Sequence, residues 1–231
     1  MGKSCLMVTG GPLDLAFARE FLKNRTYDMV AAVDAGLRSC MELGLKPDLL
    51  VGDFDTFGRD EILRYRPEPG VTMDIHRPEK DETDTELAFS DILKAGCSRV
   101  DVIGATGGRI DHEISNIHLL VHAARKGLSA NLYDAQNRIS VLDAKVNREY
   151  AFSRDRIYGT YVSFLPITEM VRGITLTGFK YPLYQRDISI LENPGLCVSN
   201  EVEAEQAVLT FNAGILLCIE SRDASGSLKK Y

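Results

Sequence analysis

Apolar positions fall into two textures along the chain. Through residue 143, short aliphatic or β-branched runs alternate with longer stretches in which apolar side chains recur every three or four positions. The runs at 6–8, 29–33, 49–51, 71–73, 100–103 and 132–133 are mostly too apolar to leave a wet face. They predict strands of a mainly parallel sheet covered on both sides. The stretches 13–24, 36–43, 83–95 and 111–126 between them predict helices. In the last, Ile114, Ile117, Val121 and Ala124 mark one face and Gly127 supplies the stop. This alternation is the βαβ signature of an α/β domain with helices flanking the sheet. From residue 144 onward the segments 161–164, 174–176, 188–190, 207–211 and 214–219 are short, with Pro and Gly turns between them and no long helical period. They predict an all-β sandwich or barrel. The expected division is therefore an α/β domain over 1–143 and a β-domain over 144–231.

Composition narrows the classes. With 231 residues, 45% apolar and 26% charged, the chain can bury one large core or two modest ones, which excludes global disorder. A net charge of -6, from 27 basic against 33 acidic residues, argues against nucleic acid as a partner. No run approaches the ~18 apolar residues of a membrane span, so a soluble, non-membrane protein is expected. The five cysteines are odd in number and widely spread, with no Cys-x-x-Cys pair. They fit small core residues in a reducing cytoplasm.

Acidic residues sit where the predicted strands end. Asp34 follows the second strand, Asp53 and Asp55 the third, Asp81 and Asp84 the fourth, and Asp111 the fifth. In open α/β sheets the carboxyl ends of strands form the ligand crevice, so these side chains should share one rim. In extended backbone Asp53 and Asp55 point the same way, and two adjacent carboxylates repel unless a cation lies between them. Mg²⁺, which takes hard oxygen ligands and completes its shell with water and phosphates, meets that need. Two solvated turn acids are the plainer reading of the same dipeptide spacing. Thr83-Asp84-Thr85-Glu86 has the form of a capping box. Lys80 is a candidate phosphate ligand. Gly107-Gly108-Arg109 offers backbone amides and a guanidinium to an anion ahead of a helix, although taken by itself a tight turn with a solvated arginine is the better explanation. Asp111 fits either a functional acid or the N-cap of the helix that follows.

Other motifs fail on context. Gly2-Lys3-Ser4 lacks the upstream glycine of a phosphate-binding P-loop and precedes the first strand. Gly10-Gly11-Pro12 lacks the dinucleotide fingerprint, though it allows close backbone approach. His118 and His122 lie four apart without the remaining ligands of a zinc site and read as helix surface.

Taken in order, Asp34-Ala35-Gly36, Lys46-Pro47-Asp48, Gly52-Asp53-Phe54-Asp55-Thr56, Lys80-Asp81-Glu82-Thr83-Asp84 and the run from Gly104 to His112 resemble the thiamine pyrophosphokinase family. In the second half, the run from Gly173 to Tyr181 and Val198-Ser199-Asn200-Glu201 are similar to that family's thiamine-binding β-domain. The resemblance spans nearly the whole chain. It implies transfer of a pyrophosphoryl group from ATP to thiamine with Mg²⁺, in a homodimer whose thiamine pocket lies between the α/β domain of one subunit and the β-domain of the other. By the same likeness Asp53 and Asp55 are the metal and phosphate carboxylates, and Asp34, Asp81, Asp84 and Asp111 are further active-site acids. Arg109 is by this likeness a triphosphate ligand, joined by the phosphate candidates Lys80, Gly107 and Gly108, and Ser199 and Asn200 match the thiamine-side motif, with Tyr181 the candidate aromatic surface for the aminopyrimidine. Thr56 stands where Ser is more familiar, and the chain has no Trp at all, whereas many of the family use one near the pocket. A pyrophosphokinase for another primary alcohol and a catalytically silent sensor are the alternatives to weigh.

Overall fold

The computed structural model describes residues 2–53, 70–75 and 82–224. The chain folds as two compact units, Met1–Asp134 and Ala135–Tyr231.

The first unit is a parallel sheet with helices in its connections. Its strands are β1 (Lys3–Val8), β2 (Met29–Val33), β3 (Leu49–Gly52), β4 (Thr72–Ile75), β5 (Cys97–Ile103) and β6 (Ser129–Tyr133). They lie in the order β4-β3-β2-β1-β5-β6, and every neighbouring pair runs parallel. The inner runs are buried without alternation, as expected where both faces are covered: Cys5, Leu6, Met7 and Val8 have no exposed surface. Each such side chain contributes on the order of 1.5–3 kcal/mol by leaving water.

Four helices among the described residues connect these strands: α1 (Leu15–Leu22), α2 (Gly36–Leu43), α3 (Asp84–Lys94) and α4 (Ile110–Arg125). Each boundary has a local cause. Asp14 caps α1, its Oδ1 accepting from the amides of Ala16 at 2.8 Å and Phe17 at 3.1 Å. Gly36 opens α2 with its Cα against the Val8 carbonyl, where a Cβ has no room. Thr83 caps α3 as its spacing predicts, accepting from the Glu86 amide at 3.2 Å. Helix α4 begins one residue earlier than expected, with Arg109 at the cap position, so Asp111 lies inside the first turn and is not the N-cap. His118 and His122 are exposed on α4, as a surface role requires.

The second unit is a sandwich of two antiparallel sheets. Its strands are β7 (Asn137–Asp143), β8 (Glu149–Ser153), β9 (Tyr161–Pro166), β10 (Met170–Thr177), β11 (Leu183–Ser189), β12 (Gln206–Thr210) and β13 (Ile215–Ser221). One layer runs β7-β13-β9 and the other β11-β10-β12-β8. The inward faces share one core, in which Phe152, Phe164 and Phe179 meet edge to face at 5.5–5.7 Å. Strands β7 and β8 were not among the predicted segments, because polar residues such as Arg138, Ser140 and Glu149 interrupt their apolar signal. Strand β11 begins five residues before the apolar triplet that marks its end. Its first half, Tyr184 to Asp187, is an exposed sheet edge with Gln185 at φ 48°. By compactness β7 groups with this unit.

Candidate active site

The sheet order sets where a site can form. After β1 the chain builds strands on one side of it, then crosses to β5 on the other, so the connections leaving β1 and β5 diverge. A crevice at the carboxyl ends of the strands is the geometric result. A cavity of ≈ 610 Å³ occupies this place, lined from the loop Thr9–Pro12, the ends of β2 and β3, the start of α3, and the loop from Gly104 into α4. Small-molecule sites span roughly 300–1,000 Å³.

Asp34, Asp53 and Asp84 line this cavity together with Gly108 and Arg109. Asp34 leaves β2 at φ 47°, and its amide donates to the Val51 carbonyl at 3.0 Å, which turns the residue out of the strand beside β3. Asp53 comes directly after β3, and Asp84 is the first residue of α3, where a carboxylate also suits the positive helix end. On the far wall Thr9 is buried, its amide donating to Ile103 at 3.0 Å. Gly11 passes so close to the Gly104 carbonyl that no side chain fits between the two loops.

The loop from Gly104 to Arg109 turns on two glycines in the left-handed region, Gly104 at φ 76° and Gly107 at φ 78°. Thr106 Oγ1 donates to Asp134 at 2.9 Å, Asn116 Nδ2 donates to the Ala105 carbonyl at 3.0 Å, and the Gly107 amide donates to Glu113 Oε2 at 3.1 Å. Arg109 grips Asp111 with two bonds, Nη2 to Oδ2 at 2.6 Å and Nε to Oδ1 at 3.2 Å. That guanidinium holds the Asp111 carboxyl below the usual carboxylate range. Both side chains are exposed, so the pair adds little to stability.

The expected residues divide accordingly. Asp34, Asp53, Asp84, Gly108 and Arg109 come together in one cavity. Asp111 stands beside Arg109, and the Gly107 amide is engaged by Glu113. Asp55, Lys80 and Asp81 lie outside the described residues, as do Phe54 and Thr56. In the second unit Tyr181 is exposed, Ser199 sits at φ 56° with its amide on Ser163 Oγ at 2.9 Å, and Asn200 is buried. The Asn200 carboxamide clasps the backbone of Tyr181: its Oδ1 accepts from the Tyr181 amide at 3.0 Å and its Nδ2 donates to the Tyr181 carbonyl at 2.9 Å.

Sequence reasoning missed Thr9, Glu113 and Asn116 as wall residues. Glu113 and Asn116 stand three apart on α4, one turn of a helix, and only that spacing offered a signal.

The carboxylates Asp34, Asp53 and Asp84 offer hard oxygen, which suits Mg²⁺, and no cysteine is among the described lining residues to favour a softer ion. Among the described residues no three metal-binding side chains gather closely enough to hold an ion unaided. Mg²⁺ bound with phosphates commonly uses only one or two carboxylates.

A doubly wound α/β unit with an acidic crevice at its switch point defines the first unit as a small-molecule-binding α/β domain, and the second unit is a β-sandwich. Family comparison makes the class specific. The thiamin pyrophosphokinase catalytic domain matches residues 20–132, and the thiamin pyrophosphokinase vitamin B1 binding domain matches residues 145–216. The thiamine pyrophosphokinase of Bacillus subtilis is 32% identical over 221 residues, which is 96% of this chain and 100% of that protein. Thiamine pyrophosphokinase 1 of Oryza sativa is 27% identical over 87% of this chain and 76% of its own. Among solved structures, thiamin pyrophosphokinase from Geobacillus thermodenitrificans superposes with a TM-score of 0.81 at 32% identity, covering 96% of this chain and 99% of that one. The chain belongs to the thiamine pyrophosphokinase family.

Proposed function

We propose that this enzyme transfers the pyrophosphoryl group of ATP to the hydroxyl of thiamine, giving thiamine diphosphate and AMP in a Mg²⁺-dependent reaction. The observation that carries the reading is the convergence of Asp34, Asp53, Asp84 and Arg109 on one cavity at the switch point of the sheet. The domain roles follow: the α/β unit binds ATP and Mg²⁺, and the β unit, which takes in residues 135–143 that the sequence pattern assigns to the first part, contributes to thiamine binding.

The thiamine oxygen attacks the β-phosphorus, the bond from that phosphorus to the oxygen of the α-phosphate breaks, and AMP departs with that oxygen. The hydroxyl proton passes to a carboxylate, one of Asp81, Asp84 or Asp111. Such transfer depends chiefly on positioning and charge stabilisation. When bound, Mg²⁺ neutralises phosphate charge, and Asp53 with Asp55 are the residues to hold it. Arg109 and Lys80 offset the remaining negative charge, with Asp34, Gly107 and Gly108 shaping the same pocket. The acidic wall also suits the cationic thiazolium.

On the thiamine side the proposed contacts are Ser199 and Tyr181, with Asn200 fixing the Tyr181 backbone. These act across a homodimer, a reading supported by the exposed apolar side chains Tyr181, Tyr184, Leu191 and Val198. Buried, unpaired cysteines fit a cytoplasmic setting. No described helix is long and apolar enough to cross a membrane.

The deciding experiment is thiamine-dependent AMP release with and without Mg²⁺. Release only when all three components are present supports the reading. Release with a different alcohol in place of thiamine favours another pyrophosphokinase, and thiamine or nucleotide binding without AMP reduces the protein to a sensor.

A further inference from the structure

Three successive residues of the Gly104–Arg109 loop are each held by a side chain from elsewhere. The Ala105 carbonyl accepts from Asn116, the Thr106 hydroxyl donates to Asp134, and the Gly107 amide donates to Glu113. Two of these three braces come from α4, one helical turn apart, and both of their residues line the cavity. The loop needs them. Its two left-handed glycines add conformational freedom to the unfolded and unliganded loop, and freedom left at the site is lost again when a ligand orders it.

Glu113 makes the point most sharply. A carboxylate in the wall of a triphosphate pocket repels the ligand, so electrostatics alone disfavours it there. Its bond to the Gly107 amide supplies a reason for its presence: it accepts from an amide in the loop bearing Gly108 and Arg109, and so sets the direction in which that loop leaves toward the cavity. Asn116 does the corresponding work one residue before Thr106, drawing the Ala105 carbonyl toward α4.

We infer that Glu113 and Asn116 are positioning residues for nucleotide binding, which fix the backbone of the 104–109 loop before ATP arrives. The inference rests on the reading of this cavity as the ATP site. The two residues act through the loop and not on the reacting atoms, so their loss is felt in affinity and not in the chemical step.

The test measures ATP affinity by calorimetry without thiamine, and KM for ATP and kcat with it, for Glu113→Ala, Glu113→Gln, Asn116→Ala and Asn116→Asp. Losing one such bond is expected to weaken ATP affinity about tenfold and to raise KM for ATP alike, with kcat within about threefold of the parent. Glutamine keeps an acceptor for the Gly107 amide without the charge, so Glu113→Gln should recover most of what Glu113→Ala loses. Asn116→Asp places a carboxylate against a carbonyl and should be at least as weak as Asn116→Ala. Unchanged ATP affinity in Glu113→Ala and Asn116→Asp overturns the inference. So does a Glu113→Gln variant as weak as Glu113→Ala, because charge and not the amide bond then matters. The wild-type protein separates the two levels: ATP binding without thiamine-dependent AMP release removes the proposed reaction and leaves the positioning role standing.

Discussion

Gly52 has no side chain because the Asp34 carboxylate fills the place where its Cβ would lie. The two residues continue neighbouring strands whose last registered partners are Val33 and Val51, and both leave those strands with positive φ, 47° at Asp34 and 141° at Gly52. One position supplies a wall carboxylate and the other supplies the room for it. Gly52→Ala therefore faces both an unfavourable backbone conformation and a collision with a side chain of the site. The expected cost is about 1–3 kcal/mol of stability, several degrees in the thermal midpoint, with a larger proportional fall in AMP release as Asp34 is displaced. An alanine variant that melts and turns over like the parent contradicts the relationship.

Removing charge without volume separates chemistry from folding at the carboxylates. Asp53→Asn is expected to reduce turnover by two or more orders of magnitude at saturating Mg²⁺, with Asp34→Asn and Asp84→Asn reducing it less. Circular dichroism and the thermal midpoint should stay close to the parent, because each substitution removes charge with little change in volume. Near-normal AMP release by Asp53→Asn at high Mg²⁺ is the outcome that counts against its proposed role.

Asn200 offers a test on the thiamine side. Its carboxamide makes three hydrogen bonds, two to the Tyr181 backbone and one from the Glu201 amide, and its own backbone pairs with Val162. Asn200→Ala leaves part-buried backbone groups of Tyr181 and Glu201 without these partners and is expected to cost about 1–3 kcal/mol. Tyr181→Ala removes only an exposed ring and should barely move the melting temperature. If Tyr181 contacts thiamine, both variants raise KM for thiamine, and only Asn200→Ala lowers stability. Differential scanning calorimetry with thiamine titrations reads both quantities.

The cysteines give a pH-dependent signature. Burial pushes the Cys40 thiol up to about 12, Cys197 to about 11 and Cys218 to about 12, and it raises Cys5 and Cys97 as well. Folding thus favours the neutral thiol. Stability from this source is complete below the ordinary value of 9.0 and declines as pH rises past it, because only the unfolded chain then readily loses the proton. At pH 8 the native protein should resist iodoacetamide under conditions that alkylate all five thiols after denaturation. Rapid labelling of native protein, followed by mass spectrometry, would contradict this burial.

Much of the site is legible in the sequence. Strand-end acids were legible because parallel βαβ topology places every such end on one rim, and Asp34, Asp53 and Asp84 do line one cavity there. The capping of α3 by Thr83 was legible because it is a four-residue, local interaction. Strands β7 and β8 were not, because their polar residues belong to a sandwich whose register only the partner strands set. Nor was the engagement of Asn200 by the Tyr181 backbone, which joins residues 19 apart.

What the sequence by itself determined is therefore what depends on near neighbours: the alternation of strand and helix, the change to β texture in the second half, the caps, and the ordered motifs of the family. The tertiary structure decided which of those motifs meet. It set Asp34 into the space left by Gly52, placed Asp111 in the first turn of α4 beside Arg109, and tied Glu113 and Asn116 to the glycine loop. The physical reason is range. Periodicity and capping act over a few residues, whereas the order β4-β3-β2-β1-β5-β6 brings Thr9 against Ile103 across 94 positions.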